Sequence, residues 1–362
     1  MKLNLQIQDK YTWLIKEKPC VISGPCSVES EKQVLETVQA ISKSGKVNII
    51  RGGIWKPRTR PNSFEGIGEI GLKWLKDAGR AVNLPVATEV ANAEHVEACL
   101  KNEIDILWIG ARTTVSPFAV QEIADALKGI DIPVFVKNPI NPDFNLWIGA
   151  LERINAAGIN KIGAIHRGFS SFDKSSYRNL PMWELPIELK MICPDLPIIC
   201  DPSHIAGSKD LIFQVAQKAM DMEMDGVMIE SHIHPSDAKS DAEQQLTPEE
   251  LITLLNQLQV RKSGCNNEEF TNNLEQLRIV IDELDEELIN KFASRMAIIE
   301  KIGTYKKENE VTILQIERWE KILKNRTFLA EKVGLSNDFI KKMLELLHQE
   351  SIRIQTEIMN KK

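Results

Sequence analysis

Short apolar runs alternate with amphipathic stretches over the first 260 residues of this chain. The runs are CVISGPCS (20–27), VNIIRGG (47–53), PVATEV (85–90), ILWIGAR (106–112), PVFVKN (133–138), KIGAIHRG (161–168), PIICDPSH (197–204) and GVMIESH (226–232). Each is rich in β-branched residues and nearly continuous, as expected of a strand buried on both faces. Each is followed by apolar residues at helical spacing, as in EKQVLETVQAISKSG and ANAEHVEACLKN. Eight strand–helix units in about 250 residues are the count and size of a (β/α)8 TIM barrel. An open doubly wound sheet is the alternative. The polar stretch QVRKSGCNNEEF breaks this rhythm, so the reading is a barrel over 1–260, a linker over 261–269 and an all-α three-helix domain over 270–362. In the tail, Leu274, Leu277, Ile281, Leu284, Leu288, Phe292, Met296, Ile299 and Ile302 recur every three or four positions. They predict one helix of about 30 residues. Two more are expected, roughly over 315–332 and 336–360, the second capped by Ser336. So long a first helix in so small a domain implies that its apolar stripe packs against another chain.

Composition narrows the class. The 362 residues are 43% hydrophobic and 27% charged, enough for a large core. A net charge of −6 gives no nucleic-acid footprint. With no secretory signal and no apolar run long enough to span a bilayer, a cytoplasmic location is expected. The six cysteines lack paired spacing and read as free thiols, with Cys20, Cys99, Cys193 and Cys200 packed in the core.

The polar residues at the ends of the apolar runs carry the chemistry. Cys26 (GPCS), His204 (DPSHIAG), Glu230 (IESH) and, in the loop beyond, Asp241 (KSDAEQ) form a mixed soft and hard ligand set. Such a set suits a first-row divalent ion with an open position: Mn2+ first, with Fe2+, Co2+ and Zn2+ compatible. Around it falls a cationic group of Arg51, Lys56 and Arg58 from RGGIWKPRT, then Arg112, Lys137 and His166-Arg167. In a barrel, strand C-termini meet at one mouth. So many cations there need an anionic ligand, and phosphate or carboxylate fits. The literal GxGxxG at 66–71 follows a loop rather than a strand and is set aside. His232 and His234 flank the loop that carries Asp241, while His95 and His348, on helices, are expected to be solvated.

GPCS, RGGIWKPRT, GART, KNP, HRG, DPSH and IESH…KSD together resemble the short-barrel (type Iβ) 3-deoxy-D-arabino-heptulosonate 7-phosphate (DAHP) synthases over about residues 15–255. The resemblance implies condensation of phosphoenolpyruvate with erythrose 4-phosphate and release of phosphate. It implies that Cys26, His204, Glu230 and Asp241 bind the metal, and that Arg51, Lys56, Arg112, Lys137 and Arg167 hold phosphoenolpyruvate. Lys56 is also the candidate proton donor, and Pro57, Arg58 and Thr59 are implied to hold erythrose 4-phosphate. The sister synthase for arabinose 5-phosphate shares the barrel, but its typical segment is KANRS where this chain has Lys56-Pro57-Arg58-Thr59. The stretch ahead of Cys20 holds no sizeable extra domain, so regulation is expected through the tail.

Residues from about 268 to 360 resemble the all-helical (AroQ-type) chorismate mutases, which form intertwined dimers and convert chorismate to prephenate. The matching positions are Arg278, Arg295, Lys306, Arg318, Ser351 and Gln355. The resemblance implies a cationic cage: arginines for two carboxylates, and Lys306 with Gln355 for the ether oxygen. Arg278 and Arg295 are 17 residues apart, about 25 Å along a helix, so one of them must come from a partner chain. A homodimer or larger assembly is therefore expected. Gln315 and Trp319 stand where that family commonly has acidic residues against the substrate hydroxyl; Gln315 can still hydrogen-bond, but Trp319 cannot accept. The combined expectation is a bifunctional shikimate-pathway enzyme whose synthase is inhibited through the mutase domain. The alternative is a tail that binds prephenate with little turnover.

Overall fold

The computed structural model describes residues 3, 5–14, 18–57, 63–172, 175–261, 264 and 267–361. The chain divides into two compact units, Met1–Ser263 and Gly264–Lys362.

In the first unit the strands are β1 (Cys20–Gly24), β2 (Ile49–Arg51), β3 (Val86–Val90), β4 (Ile106–Ile109), β5 (Val134–Lys137), β6 (Ile162–His166), β7 (Ile198–Cys200) and β8 (Gly226–Glu230). All neighbours pair parallel, and β8 returns to β1, closing the barrel. The connecting helices include α1 (Glu31–Ser42), α2 (Ile70–Val82), α3 (Ala93–Lys101), α4 (Pro117–Ala126), α5 (Phe144–Ala156), α6 (Glu184–Ile192), α7 (Pro202–Ala206), α8 (Lys209–Asp221) and α9 (Pro248–Gln257). Their starts are locally coded. Ser30, Asn92 and Asp143 each accept a backbone N–H three residues on, and Thr247 with Glu250 makes a capping box.

Strand alternation splits the core in two. Ile22, Ile49, Ala87, Trp108, Phe135, Ile165, Ile199 and Met228 pack together inside the barrel. Their strand neighbours Val21, Ile50, Val86, Leu107, Val134, Ala164, Ile198 and Val227 pack outward against the helices. A strand repeats every two residues. Two positions beyond the interior residues therefore come Gly24, Arg51, Glu89, Gly110, Lys137, Arg167, Asp201 and Glu230. Two of these are glycines, and six are charged. The same period turns His166 outward. It lies 5.2 Å from the Trp183 ring and 5.9 Å from Phe169, fully buried. Burial pulls its pKa down to about 3, with Arg167 adding to the effect. His166 is thus a neutral core residue, correcting its assignment to the cationic group.

The second unit comprises α10 (Glu268–Glu308), α11 (Ile316–Lys332) and α12 (Asn337–Asn360). Ser336 caps α12, accepting from Phe339 N at 3.2 Å. The first helix has 41 residues rather than about 30. Asn267 starts it one turn early by accepting from Phe270 N at 3.1 Å, and polar Lys306–Glu308 extend it past the last apolar position. Gly303 lets α10 and α12 approach closely: a Cβ there would sit 2.9 Å from Ile358 Cδ1 and 3.3 Å from Gln355 Cγ.

Among the described residues no helix is long and apolar enough to cross a membrane. Cys20, Cys26, Cys99, Cys193 and Cys200 are buried free thiols, and Cys265 lies outside the described residues.

The β1–β8 seam yields a stability prediction. A Cβ on Gly226 would lie 2.1 Å from the Cys20 carbonyl oxygen, and backbone cannot yield there as a side chain can. Gly226→Ala should cost about 3 kcal/mol, read as a lower urea midpoint at unchanged m-value. A midpoint equal to wild type would show that the seam is not tightly closed.

Candidate functional site at the barrel mouth

Trp108 forms the floor. Its ring lies under the Arg51 guanidinium at 5.1 Å and the Lys137 ammonium at 5.7 Å. Its indole N–H donates to Glu89 Oε2 at 2.8 Å. Gly110 leaves room for that carboxylate, since a Cβ there would be 2.1 Å from Glu89 Oε1.

The charges above this floor are buried in pairs. Arg51 Nη1 lies 3.2 Å from Glu230 Oε1, and Lys137 Nζ lies 2.7 Å from Asp201 Oδ2. Burial alone would raise the Glu230 carboxyl, but His204, Arg51 and Lys56 together hold it below its usual range. Asp201 has two further duties. Its Oδ1 accepts from His204 N at 3.1 Å, opening α7, and its Oδ2 lies 2.8 Å from His204 Nδ1. That contact fixes the imidazole and leaves Nε2 facing Glu230 Oε1 at 3.9 Å. Burial keeps His204 below the ordinary histidine pKa, so the ring is neutral at pH 7.

Cys26, Glu230 and Asp241 each bring one donor atom to within 4.8 Å of the others. Cys26 Sγ is 3.4 Å from Asp241 Oδ2 and 3.0 Å from Lys56 Nζ. Burial pushes the thiol up to about 12, with Glu230 adding to the shift. A thiol and two carboxylates converge on one spot, and the neutral His204 imidazole stands outside that group, reaching Glu230 alone at 3.9 Å; donors of these kinds fit a borderline divalent cation. Lys56 and Arg51 pull the other way without offsetting that burial, so the thiol is protonated at pH 7.

A cavity of about 270 Å3 opens beside this cluster, lined by Lys56, Arg112, Lys137, Arg167, His204 and Asp241 among others. Pro57 also lines it, and its carbonyl accepts from Arg112 Nη1 at 2.5 Å. Burial lowers Arg167 to about 10, still a cation at pH 7. Arg58 and Thr59 lie outside the described residues. Lys56 and Pro57 ride on a loop held by Lys56 N to Glu65 O at 2.8 Å. Trp55 stacks on His95, with centroids 3.8 Å apart and planes at 6°. His95 is therefore half-buried against an aromatic face, not solvated. His232 is buried, its Nδ1 accepting from His234 N at 2.9 Å.

Sequence reading missed a loop between β6 and α6. Arg178 Nη1 bonds Asp241 Oδ1 at 2.9 Å and Gln244 Oε1 at 2.7 Å. Gln244 Nε2 then donates to Glu230 Oε2 at 2.6 Å. Asn179 accepts from Arg167 Nη1 at 2.7 Å and donates to His204 O at 2.6 Å. Two adjacent residues thus tie the carboxylates to the cation cluster. Nothing flanking them marks a strand end, so periodicity could not find them.

In the helical unit, Arg295 Nη1 donates to Ser351 Oγ at 2.8 Å, and Gln355 is buried one turn beyond Ser351. Lys306 Nζ bonds Ile313 O at 2.5 Å. Gln315 and Arg318 are exposed at the start of α11. Arg278 is exposed on the first half of α10, 3.6 Å from Glu275, and does not join Arg295. Trp319 stacks on His348, with centroids 4.0 Å apart and planes at 13°. His348 is thus a second histidine expected in solvent that lies on a tryptophan.

These features define a (β/α)8 enzyme with a cation-lined mouth, joined to an all-helical unit. Residues 10–266 match the model of the DAHP synthetase I family, and the chain belongs to that family. Residues 277–356 match chorismate mutase type II, so a chorismate mutase domain follows the DAHP synthase domain. A phospho-2-dehydro-3-deoxyheptonate aldolase of Thermotoga maritima is 33% identical over 226 residues, which are 62% of this chain and 64% of that protein. The match thus spans less than two thirds of that relative's length. A 2-dehydro-3-deoxyphosphooctonate aldolase of Acidithiobacillus ferrooxidans is 26% identical over 70% of this chain and 92% of its own. The crystal structure of the DAHP synthase from Thermotoga maritima superposes with a TM-score of 0.59 at 30% identity, covering 66% of this chain and 67% of that one.

The Lys137–Asp201 pair generates a second prediction. Lys137→Met leaves Asp201 buried without its cation and should cost about 3 kcal/mol. Adding Asp201→Asn should recover at least about 1 kcal/mol of that loss. Strict additivity in a denaturation cycle would show that the two side chains do not depend on each other.

Proposed function

We propose that the barrel condenses phosphoenolpyruvate with erythrose 4-phosphate to DAHP and phosphate, and that the helical unit converts chorismate to prephenate. The observation that carries the first half is the set of cations at one mouth beside a thiol, an imidazole and two carboxylates. In this reading Arg51, Lys56, Arg112, Lys137 and Arg167 hold the phosphate and carboxylate of phosphoenolpyruvate. Pro57, Arg58 and Thr59 hold the sugar phosphate, and Lys56 donates a proton at the aldehyde oxygen. Cys26, His204, Glu230 and Asp241 hold a divalent ion, Mn2+ first, which supplies Lewis acidity toward that oxygen. The arginines bring two anions into reacting geometry and offset the charge between them. Lys56-Pro57-Arg58-Thr59 supports the four-carbon sugar over arabinose 5-phosphate.

The helical reading rests on Arg295, Lys306, Ser351 and Gln355, with Gln315 and Arg318 closing the cage. Arg278 of a second copy completes it. Leu277, Ile281, Leu284 and Leu288 are each more than half exposed and form one stripe at heptad spacing on α10, which supports a homodimer through this unit. The functional boundaries are 1–260 and 270–362, joined by 261–269. Prephenate at the helical unit inhibits the barrel reaction. Reduced, buried cysteines suit a cytoplasmic enzyme.

Phosphate release from phosphoenolpyruvate plus erythrose 4-phosphate, with Mn2+ and then with chelator, tests the barrel reading. Activity should vanish with chelator and in Cys26→Ser. Turnover of arabinose 5-phosphate instead would move the chain to the sister reaction, and a rate unchanged by saturating prephenate would remove the regulatory part. For the dimer, Leu284→Glu should give monomers on sedimentation and lower chorismate turnover about a hundredfold. A fully active monomer would sink the shared-site reading.

A further inference from the structure

We propose that His348, backed by Trp319, is the hydrogen-bond acceptor of the helical site for a hydroxyl on its substrate; this rests on the mutase reading above. The cage as described is rich in donors and poor in acceptors. Arg295 and Lys306 only donate, and an indole N–H only donates. Ser351 Oγ is already engaged, accepting from Arg295 and donating to Leu347 O at 2.5 Å. A small dicarboxylate that also bears a hydroxyl is matched on its anionic groups, but the cage leaves only the amide oxygens of Gln355 and Gln315 and the His348 imidazole to take its proton.

His348 sits where that acceptor is needed. On α12 it precedes Ser351 by three residues and Gln355 by seven, so the three share one face, with His348 and Gln355 about 20° apart. That face is the one on which Arg295 meets Ser351 and Leu347. Gln355 Oε1 is buried there without a hydrogen-bond partner, which marks the face as unfinished until something binds. Both Arg295 and Lys306 bear on His348. Burial first, and those two cations next, hold its pKa below the ordinary value. The ring is therefore neutral at pH 7, and a neutral imidazole carries one free lone pair.

Trp319 gives the ring its place. Parallel stacking at 4.0 Å leaves the imidazole edge, where the nitrogens lie, clear of the indole. A carboxylate at position 319 would instead favour the protonated imidazole, which has no lone pair left to accept with. The tryptophan keeps the ring oriented and uncharged. Trp319 is thus a positioning residue, and His348 is the group that touches substrate.

The test compares variants of the full chain for chorismate turnover and prephenate binding. His348→Phe keeps the stack and deletes the acceptor. It should raise KM for chorismate about tenfold, the effect of one lost hydrogen bond, with an unchanged thermal midpoint. His348→Gln restores an acceptor and should recover much of that loss. Trp319→Phe keeps a ring to stack on and should stay close to wild type, while Trp319→Ala should resemble His348→Phe. Prephenate should change the tryptophan emission of wild type, and the change should be lost in Trp319→Phe. Wild-type KM in His348→Phe would overturn the proposal and leave the mutase reading standing. Prephenate binding weakened by His348→Phe, in a chain that does not turn over chorismate, would sink the mutase reading and keep this one. A wild-type chain that neither reacts with chorismate nor binds prephenate overturns both.

Discussion

A strand in a closed barrel has two faces and no freedom to choose between them. Once Ile22, Ile49, Trp108, Phe135, Ile165, Ile199 and Met228 fill the interior, the next inward position on each strand is decided. That one constraint delivers Arg51, Glu89, Lys137, Arg167, Asp201 and Glu230 to a single mouth. It also sends His166, one residue away from Arg167, into the helix layer. A single-residue shift in any strand would exchange the two sets completely.

Placing that many charges in a dry mouth creates an electrostatic problem that the same residues solve. An isolated buried ion is costly, and removing one member of a pair leaves the other stranded. Arg51 with Glu230 and Lys137 with Asp201 each offset the other's desolvation, and Asp201 reaches on to His204. Arg178 and Asn179 extend this network across the metal-type donors and Arg167. The cations expected to hold substrate and the groups expected to hold an ion therefore form one mechanical unit. Motion in one half strains hydrogen bonds in the other.

The strands and the mouth were legible in the sequence because both follow from short-range periodicity. All eight strands fall inside the predicted runs. Periodicity carries no information about partners distant in the chain. That is why His95 and His348 read as solvated although each lies on a tryptophan. Arg178 was illegible for a related reason: it sits in a loop whose conformation is set by Asp241 and Gln244, more than sixty positions away. The length of α10 was underestimated because an apolar stripe marks only the part of the helix that carries it, and the helix is extended at both ends by polar residues and a cap. Which His166 neighbour faces inward could be read from alternation, but only after register was known.

The lining of the barrel cavity has a bearing on how the protein is handled. Lys56, Arg112, Lys137, Arg167 and Arg178 face it against Glu89 and Asp241. Free protein in solution recruits counter-anions to such a surface. Phosphate and sulfate match its arginine forks better than chloride does. Buffer choice thus becomes part of the sample's chemical state: an oxyanion in the buffer competes for the same guanidinium and ammonium groups that an anionic ligand would use.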